Sequence, residues 1–325
     1  MNNKYYLGID VGSVSTNLVA MDVTGNVAHK LYLRTGGRPI DAIAKGLSVF
    51  AQKIDGDIAG VGTTGSGRQL AGVLTGADVI KNEITTHAAA ACRMVPGVKT
   101  ILEIGGQDSK IILISGGVVC DFAMNTVCAA GTGSFLDRQA SRLEIPIEEF
   151  GSYALRSRFP VQIAGRCAVF AESDMISKQQ AGHSNEDIIA GLCDALVRNF
   201  LNNLAKGKAI NAPVMFQGGV AANVGIVASF EKALSKKVII PQYYDVMGAY
   251  GASLLAKESI CASGETTRFV GFGRIRNDYA VNSFECSGCA NMCEVIQIIS
   301  EGCPVAHWGD RCGKWGAQRK QTKTM

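Results

Sequence analysis

The chain contains the stretch DVGSVSTNLVAM at residues 10–21 and a related stretch, EIGGQDSKIILI, at residues 103–114, a constant offset of 93 positions. In each copy an acidic residue follows an apolar strand, and a glycine turn, polar residues and two further strands come next. Any β-hairpin with a glycine turn shares part of this pattern, but the agreement in acid, glycine and register favours an internal duplication. Two such units predict a nucleotide held between two domains, with turn N–H groups near phosphates and the acids serving Mg²⁺ or a water.

The composition describes a globular protein that is long enough for two domains. The 325 residues are 47% hydrophobic and include 38 glycines, and the small net charge of +4 gives no reason to expect a nucleic-acid partner. No secretory signal is visible and no apolar run approaches about 20 residues, so we expect a cytoplasmic protein without a membrane partner. In that compartment the 11 cysteines are expected to be metal ligands or thiols rather than disulfides.

The order of strand and helix patterns predicts an α/β fold. Residues 41–54 have helical apolar spacing between strand-like segments, and the part after residue 140 is mostly helical up to a small-residue helix at 246–257. From Cys261 onward, glycine, polar residues and clustered cysteines replace the apolar periodicity. We expect three parts: a first subdomain at 1–97, a second at 98–260 and a cysteine-rich extension at 261–325.

Two cysteines differ from the others in their surroundings. Cys128 and Cys167 each follow a turn-like or polar stretch and open a segment that is expected to be a helix, and Cys128 is continuous with a Gly-Thr-Gly loop at 131–133. Two thiolates are too few for an ordinary iron–sulfur cluster, which takes four, but a homodimer would supply four at one shared site. The alternative is that they are ordinary buried cysteines. We expect this second interpretation to hold for Cys92, Cys120 and Cys193.

Several motifs together resemble one known group of proteins. Residues 10–16 resemble the first phosphate loop of the sugar kinase, actin and heat-shock chaperone superfamily, and residues 217–221 resemble its adenosine loop. Within it, the resemblance is to activators of 2-hydroxyacyl-CoA dehydratases, ATPase subunits of benzoyl-CoA reductases and reductases of double-cubane cluster proteins. It covers roughly residues 4–258 and rests on four further segments: NEITTH at 82–87, IGGQDSK at 104–110, CAAGTG at 128–133 and FAES at 170–173. It implies duplicated actin-like, ribonuclease H-like ATPase domains with ATP or ADP in the interdomain cleft.

The resemblance also implies roles for individual residues. Asp10 matches the acid that works with Mg²⁺, and Glu103, a longer acid where Asp is usual, is expected to act through water. Either Gln107 or Asp108 orients the attacking water. The phosphate cradle is expected to consist of Gly12, Ser13, Ser15, Thr16, Gly105, Gly106, Gly131, Thr132 and Gly133. The nucleoside is expected to contact Gly218, Gly219, Ala222, Asn223 and Gln242.

Members of this group are homodimers that hold one [4Fe–4S] cluster between the two copies, and the matching ligands here are Cys128 and Cys167. The implied activity is low-potential electron transfer driven by ATP hydrolysis. The electron donor is a ferredoxin or flavodoxin, and the acceptor is an iron–sulfur dehydratase or a double-cubane cluster protein. Two other functions stay open on the phosphate loops alone: a sugar or small-molecule kinase, and a nucleotide-dependent regulator without catalysis.

The cysteines of the extension are a separate question. Cys286, Cys289 and Cys293 have the spacing C-x₂-C-x₃-C, and Cys303, His307 or Cys312 is a candidate fourth ligand of a zinc ion or a second cluster. A cysteine-rich docking surface without metal is the alternative. The extension is expected to be an appendage to the ATPase fold. A single histidine elsewhere, His87, is expected to be a packed helix residue rather than a catalytic base.

Overall fold

The computed structural model describes residues 3–125, 128–273, 279–300, 302–312 and 314–317. The chain forms two compact units, Met1–Asn82 together with Gly248–Met325, and Glu83–Met247. These divisions differ from the expected boundaries at 97/98 and 260/261. The first boundary moves because helix 83–94 packs against strands of the second unit, and the last because the final helix of the ATPase region belongs to the first unit.

The first unit is built on a five-stranded mixed sheet. Its elements are β1 (Lys4–Val11), β2 (Ser15–Asp22), β3 (Val27–Arg34), α1 (Pro39–Lys53), β4 (Asp57–Thr64), α2 (Arg68–Thr75) and β5 (Val79–Ile80). The strand order is β3-β2-β1-β4-β5, with β1, β2 and β3 antiparallel and β4 parallel to β1. The helical spacing predicted over 41–54 is confirmed, since α1 buries Ile43, Leu47 and Phe50.

The second unit has a sheet of the same size and more helices. Its elements are α3 (Glu83–Met94), β6 (Thr100–Ile104), β7 (Ser109–Ser115), β8 (Val118–Asn125), α4 (Gly133–Arg142), α5 (Ile147–Leu155), α6 (Ala168–Gln180), α7 (Asn185–Leu204), β9 (Val214–Gln217), α8 (Val224–Leu234) and β10 (Val238–Ile239). Short 3₁₀ turns lie at Ala129–Gly131 and Gly219–Ala222. Cys193 is buried as expected, whereas Cys92 is only half-buried and Cys120 is exposed. Cys120 lies on β8, an edge strand with side chains facing solvent.

The two sheets have the same topology, which confirms the internal duplication. The order β10-β9-β6-β7-β8 is the first sheet read from its other edge, with the hairpin strands and the parallel strands in equivalent places. Asp10 pairs with Asn17 in one hairpin, and Glu103 pairs with Lys110 in the other. The agreement in register shows that the offset of 93 positions is a structural repeat.

The final helix of the ATPase region, α9 (Met247–Ser263), packs on the sheet of the first unit through small residues. A Cβ added to Gly8 of β1 would lie 1.7 Å from the Ala249 carbonyl oxygen, and one added to Gly62 of β4 would lie 2.1 Å from that of Ala252. Glycine is required at both strand positions because the helix backbone lies where a side chain would be. This close approach is the structural role of the small-residue helix predicted from the sequence.

The cysteine-rich extension is part of the first unit rather than an appendage to it. It contains β11 (Tyr279–Glu285), β12 (Glu294–Ser300), β13 (Cys303–Trp308) and α10 (Lys314–Ala317), and the strands form an antiparallel sheet in the order β11-β12-β13. Ile298 and Ala306 of this sheet are buried in the same apolar cluster as Leu70 and Leu74 of α2. Among the described residues, no helix is both long enough and apolar enough to cross a membrane.

Candidate functional site

The first glycine turn holds Asp10 near the carboxyl end of β1. A hydrogen bond of 2.8 Å from the Gly12 N–H to the Ser15 carbonyl closes the turn. Asp10 is half-buried, and its Oδ1 lies so close to Gly65 that a Cβ there would be 2.6 Å away, at a φ of +91°. Gly65 therefore leaves room for the carboxylate. A carboxylate beside a tight turn at a strand end suits a hydrated Mg²⁺ ion and phosphate oxygens.

The hydroxyl groups predicted to cradle phosphates in this turn differ in exposure. Ser13 is exposed and Ser15 is half-buried. Thr16 is fully buried, and its Oγ1 lies 2.9 Å from Oγ1 of Thr35, which also donates to the Gly12 carbonyl at 2.9 Å. Thr16 therefore supports the turn from inside, and its contact with a phosphate stays a prediction.

The second glycine turn is built around Lys110, a residue that the sequence analysis did not single out. Its side chain is 2% exposed, and its Nζ lies 2.8 Å from Glu83 Oε2, 3.0 Å from Glu103 Oε2 and 2.8 Å from Asp108 Oδ2. The three N–H bonds of one ammonium group thus match three different carboxylates. The cluster fixes two of the predicted catalytic acids, while Gln107 is exposed on the turn.

The electrostatics of this cluster are dominated by burial and by excess negative charge. Burial raises the pKa of Glu103 to about 8, against the lowering effect of Lys110. Burial alone would lower the pKa of Lys110, but the charges of Glu103, Glu83 and Asp108 raise it, so the ammonium group stays protonated. Three acidic side chains surround one ammonium group, so the cluster has excess negative charge when all three are ionised. A proton on Glu103 lowers this excess, and so does a cation bound near the turn. The turn is thus suited to a nucleotide that arrives with Mg²⁺.

The strand next to Glu103 leads into the predicted nucleoside loop. Gln217 is the register partner of Glu103 between β6 and β9, and its Nε2 lies 2.7 Å from Nδ1 of His87. Burial lowers the pKa of His87 to about 3, with the nearby ammonium charge adding to the effect, so His87 is a neutral core residue as expected. Gly218 has a φ of +90°, and a Cβ there would lie 2.3 Å from a β6 carbonyl oxygen. Only glycine fits this turn between the strand and the loop.

The remaining predicted nucleoside residues lie on two loops of the second unit. Gly219, Ala222 and Gln242 are exposed. Asn223 is buried, and its Oδ1 accepts a hydrogen bond of 3.1 Å from the Ile226 N–H as the N-cap of α8. The sequence signal for this cap is an Asn directly before an apolar helical run. The structure thus shows a helix-capping role for Asn223, and its contact with a nucleoside stays a prediction.

Cys128 lies between Asn125, whose side chain binds the Cys128 backbone, and the predicted second phosphate loop at 131–133. The Asn125 side chain accepts from the Cys128 N–H at 2.9 Å and donates to the Cys128 carbonyl at 2.8 Å. The helical segment that Cys128 was expected to open begins as a 3₁₀ turn with Cys128 as its N-cap, and α4 begins only at Gly133 because Thr132 is extended. The Gly133 N–H donates to the Gly105 carbonyl at 2.9 Å, so this loop rests on the turn that contains Asp108.

The structure brings Cys167 and Cys128 into neighbouring segments. Cys128 Sγ lies 3.8 Å from the Arg166 carbonyl oxygen, and Cys167 is the N-cap of α6, as predicted. Both cysteines are half-buried free thiols. No acidic side chain lies in the first turn of either following helix, so the positive helix end at Cys167 is not offset locally. Two such thiols fit one half of a four-thiolate, anionic iron–sulfur cluster.

The surface beside Cys167 is unusually apolar for an exposed helix. Val169 and Phe170, which follow Cys167 in the first turn of α6, are 69% and 66% exposed. Of the 13 residues of α6, only Ala171 and Met175 are buried. Exposed large apolar side chains next to a candidate ligand are typical of a protein interface.

Among the cysteines of the extension, Cys286 has polar partners in the structure. Hydrogen bonds from Trp315 Nε1 at 3.3 Å and from the Gly288 N–H at 3.4 Å reach Cys286 Sγ and lower the pKa of Cys286. The Nε2 atom of His307 lies 2.9 Å from Nε2 of Gln297. Across the described part of the chain, no three His, Cys, Asp or Glu side chains come together as a metal-ligand group. The tail metal site therefore stays a prediction.

Known proteins match the ATPase region of the chain. A model of the BadF/BadG/BcrA/BcrD ATPase family matches residues 7–256. The 2-hydroxyisocaproyl-CoA dehydratase activator of Clostridioides difficile is 33% identical over 260 residues, covering 78% of this chain and 94% of that protein. The (R)-2-hydroxyglutaryl-CoA dehydratase activating ATPase of Acidaminococcus fermentans is 35% identical over 256 residues, with coverages of 78% and 96%. The resemblance drawn from the motifs is confirmed, and residues after 256 lie outside the family match.

Solved structures confirm the fold. The structure of the activator of the 2-hydroxyisocaproyl-CoA dehydratase from Clostridium difficile with bound ADPNP superposes with a TM-score of 0.72 at 32% identity, covering 80% of this chain and 97% of that one. A xylulose kinase from Lactobacillus acidophilus gives a TM-score of 0.53 at 10% identity, with coverages of 81% and 90%, which shows the fold alone. The predicted α/β architecture of the actin and sugar kinase type is thus correct.

Proposed function

The chain belongs to the BadF/BadG/BcrA/BcrD ATPase family, and from this premise we propose that it is an ATP-dependent activator of an iron–sulfur enzyme. It hydrolyses ATP to drive low-potential electron transfer from a [4Fe–4S] cluster shared by two copies of the chain. One observation carries the proposal: Cys128 and Cys167 lie in adjacent segments, and the loop after Cys128 is hydrogen-bonded to the turn that holds Asp108.

The nucleotide-binding part of the proposal uses the two duplicated turns. The accessible hydroxyls of Ser13 and Ser15 bind phosphate oxygens, and Asp10 binds Mg²⁺ through water. Asp108 is held by Lys110, and Glu103 is buried against the same ammonium group, so both acids shape the turn. Gln107, the exposed side chain of this turn, is then the residue that orients the attacking water.

The cluster-binding part of the proposal requires a homodimer. One copy supplies Cys128 and Cys167, and no third ligand joins them among the residues that the structure describes. Two copies supply the four thiolates of a [4Fe–4S] cluster, which provides one-electron transfer at low potential when bound. The exposed Val169 and Phe170 become buried in the same interface, which excludes water from the thiolates.

The partners follow from the relatives. Two relatives are activators or activating ATPases of 2-hydroxyacyl-CoA dehydratases, and a component of the benzoyl-CoA reductase of Thauera aromatica is 28% identical over 260 residues. We propose an iron–sulfur dehydratase or a double-cubane cluster protein as the acceptor, and a ferredoxin or flavodoxin as the donor. A cytoplasmic location fits such partners and stays a prediction.

The test is the iron, sulfide and zinc content of anaerobically purified protein. We expect about four irons per dimer, and the loss of this iron in Cys128→Ser with nucleotide binding retained. Cys120→Ser is the matched control, since Cys120 is an exposed thiol away from the proposed ligands. Full iron content in Cys128→Ser would contradict the proposal. Iron-free protein that turns over ATP only with an added sugar would favour a kinase instead.

A further inference from the structure

The two candidate cluster ligands have unequal connections to the nucleotide turns. Cys128 is separated from Gly133 by one 3₁₀ turn, and Gly133 is hydrogen-bonded to the Gly105 carbonyl. Cys167 follows 39 positions after Cys128 and has no such short covalent route. If the loop at 131–133 moves, Cys128 moves with it, but Cys167 requires another connection to move in step.

A shared ion pair provides a connection between the two helices concerned. Glu172 is the fifth residue of α6, the helix that starts after Cys167. Its Oε2 lies 2.9 Å from Nε of Arg138, and its Oε1 lies 2.6 Å from Nη2 of Arg142. Both arginines belong to α4, which starts at Gly133, and they lie four positions apart on one face of that helix. One carboxylate therefore joins the helix of the phosphate loop to the helix of Cys167.

The geometry of this pair is better defined than that of an ordinary surface ion pair. Each carboxylate oxygen has its own guanidinium group, and the Glu172 side chain is only 19% exposed, whereas the two arginines are 65% and 41% exposed. Burial opposes ionisation of Glu172, but Arg138 and Arg142 outweigh it and lower the pKa of this carboxyl. The carboxylate is therefore charged at neutral pH. With one guanidinium group on each oxygen, the Glu172 carboxylate sets the position of α6 relative to α4.

The start of α6 is also fixed on its other side. Asp174 Oδ2 accepts a hydrogen bond of 2.8 Å from the Ala164 N–H, which ties the segment before Cys167 to the body of α6. The segment before Cys167 and the helix after it are therefore held together. Glu172 lies only five positions after Cys167, little more than one helical turn, so a displacement of Glu172 also displaces Cys167.

We infer that Glu172 is a positioning residue that makes Cys167 follow movements of the loop at 131–133 through Arg138 and Arg142. The inference rests on the proposed function, because it assigns the coupling between nucleotide and cluster sites to this carboxylate. A coupling of this kind is a free energy shared by two sites, and removing the link reduces the effect of nucleotide on the cysteine.

The test compares the full-length wild type with Glu172→Gln, which keeps the shape and removes the charge. In cluster-free protein, the rate of Cys167 alkylation by iodoacetamide is measured with and without Mg²⁺ and ADPNP. In the cluster-loaded dimer, the rate of iron release to bathophenanthroline is measured with and without Mg²⁺ and ATP. Glu186→Gln is the matched control, because Glu186 forms a surface pair with Arg156 at 3.9 Å on another helix.

We expect nucleotide to change both rates by about fivefold or more in the wild type and in Glu186→Gln. In Glu172→Gln we expect this change to disappear while steady-state ATP hydrolysis is unchanged. An equal nucleotide effect in Glu172→Gln, or no effect in the wild type, would overturn the inference. If Glu172→Gln does not fold, the double variant Arg138→Met, Arg142→Met is measured in the same way. The alkylation arm needs no cluster, so it separates failure of this link from failure of the proposed function.

Discussion

Lys110 is a buried cation that pairs with three acidic side chains of the second unit, those of Glu83, Glu103 and Asp108. It sits in the hairpin position that Asn17 occupies in the other copy of the repeat, opposite the acid at the strand end. The duplicated turns therefore share their strand register and their closing backbone hydrogen bond but differ in the side chain opposite the acid. In the first turn the acid is half-buried, whereas in the second Glu103 is buried against a lysine. The second turn is thus pre-shaped by an internal cation, which fixes Asp108 before any nucleotide binds.

Replacing Lys110 by Met is expected to reduce both stability and hydrolysis. The change leaves two or three carboxylates near each other without their cation, which costs about 3–5 kcal/mol in the free energy of unfolding. Misplacement of the second turn is expected to lower kcat for ATP hydrolysis by about 10- to 100-fold, with a smaller change in KM. Urea denaturation and initial-rate measurements test this. Lys237→Met is the control, because that lysine is 92% exposed, and equal effects of the two changes would contradict the assigned role.

The raised pKa of Glu103 predicts a particular pH dependence of stability. Between its ordinary value of 4.5 and about 8, the folded state holds a proton that the unfolded state releases. The free energy of unfolding therefore falls as pH rises through this window, by at most about 1.4 kcal/mol per pH unit. The pKa of His87 is lowered from 6.5 to about 3, so between these pH values the unfolded state binds a proton that the folded state does not. The free energy of unfolding therefore rises with pH in that range because of His87. Above pH 6.5 the contribution of His87 is complete, so the difference between the wild type and a Glu103 variant from pH 6.5 to 8 reports the titration of Glu103.

Glu103→Gln is expected to flatten this slope. The measurement is urea denaturation at several pH values between 6.5 and 8 in buffer with EDTA and without nucleotide. The wild type is expected to lose stability toward pH 8 relative to the variant, and the two curves are expected to diverge steadily. Parallel curves would show that Glu103 does not titrate in this range.

The sequence predicted the positions of the acids but not the lysine that organises them. The acids and glycines repeat at a fixed offset, and a repeat is visible in one sequence. The contact between Lys110 and Glu83 joins residues 27 positions apart across a helix, a strand and a turn, and no local pattern encodes it. The ion pairs of Glu172 were missed for the same reason, since α4 and α6 are separated by α5 and a loop.

Among the elements, α9 shows how closely the first unit is packed. Gly8→Ala places a methyl group 1.7 Å from the Ala249 carbonyl oxygen, and backbone atoms of a helix cannot move aside as a flexible side chain does. We expect a loss of about 3 kcal/mol or more in the free energy of unfolding, measured by urea or thermal denaturation. Gly273→Ala is the control, because nothing lies within 4 Å of its added Cβ. A Gly8→Ala variant as stable as this control would contradict the packing.

The sequence predicted that α9 is a helix but not which part of the protein it packs against. Its run of small residues signals close packing without naming the partner. The partner strands, which contain Gly8 and Gly62, lie about two hundred residues earlier in the chain, and their glycines look like ordinary strand glycines in isolation. The expected subdomain boundary near 260 followed the chain order, whereas packing assigns this helix to the first unit.

The whole chain differs from its shorter relatives by its extension, which the structure joins to the first unit. Asp78 accepts hydrogen bonds from Thr267 Oγ1 at 2.7 Å and from the Arg268 N–H at 2.9 Å, so the extension is held from its first residues. The extension was expected to be an appendage because the shorter activators that the chain resembles end near the helix at 246–257, and because the apolar periodicity stops after it. The apolar residues of β12 that are buried in the first unit are few, and their pattern does not reveal which surface they cover.

Ile298→Ala tests whether the extension contributes to the stability of the whole first unit. Ile298 is fully buried in the cluster that includes Leu70 and Leu74, so its truncation is expected to cost about 2–5 kcal/mol. Val281→Ala is the matched control, because Val281 is the register partner of Ile298 in the same sheet and is 48% exposed. If the extension were a separate module, its loss of stability would appear as its own transition and leave the main one unchanged. We expect the opposite: the main unfolding transition, followed by circular dichroism, shifts to lower urea in Ile298→Ala and stays in place in Val281→Ala.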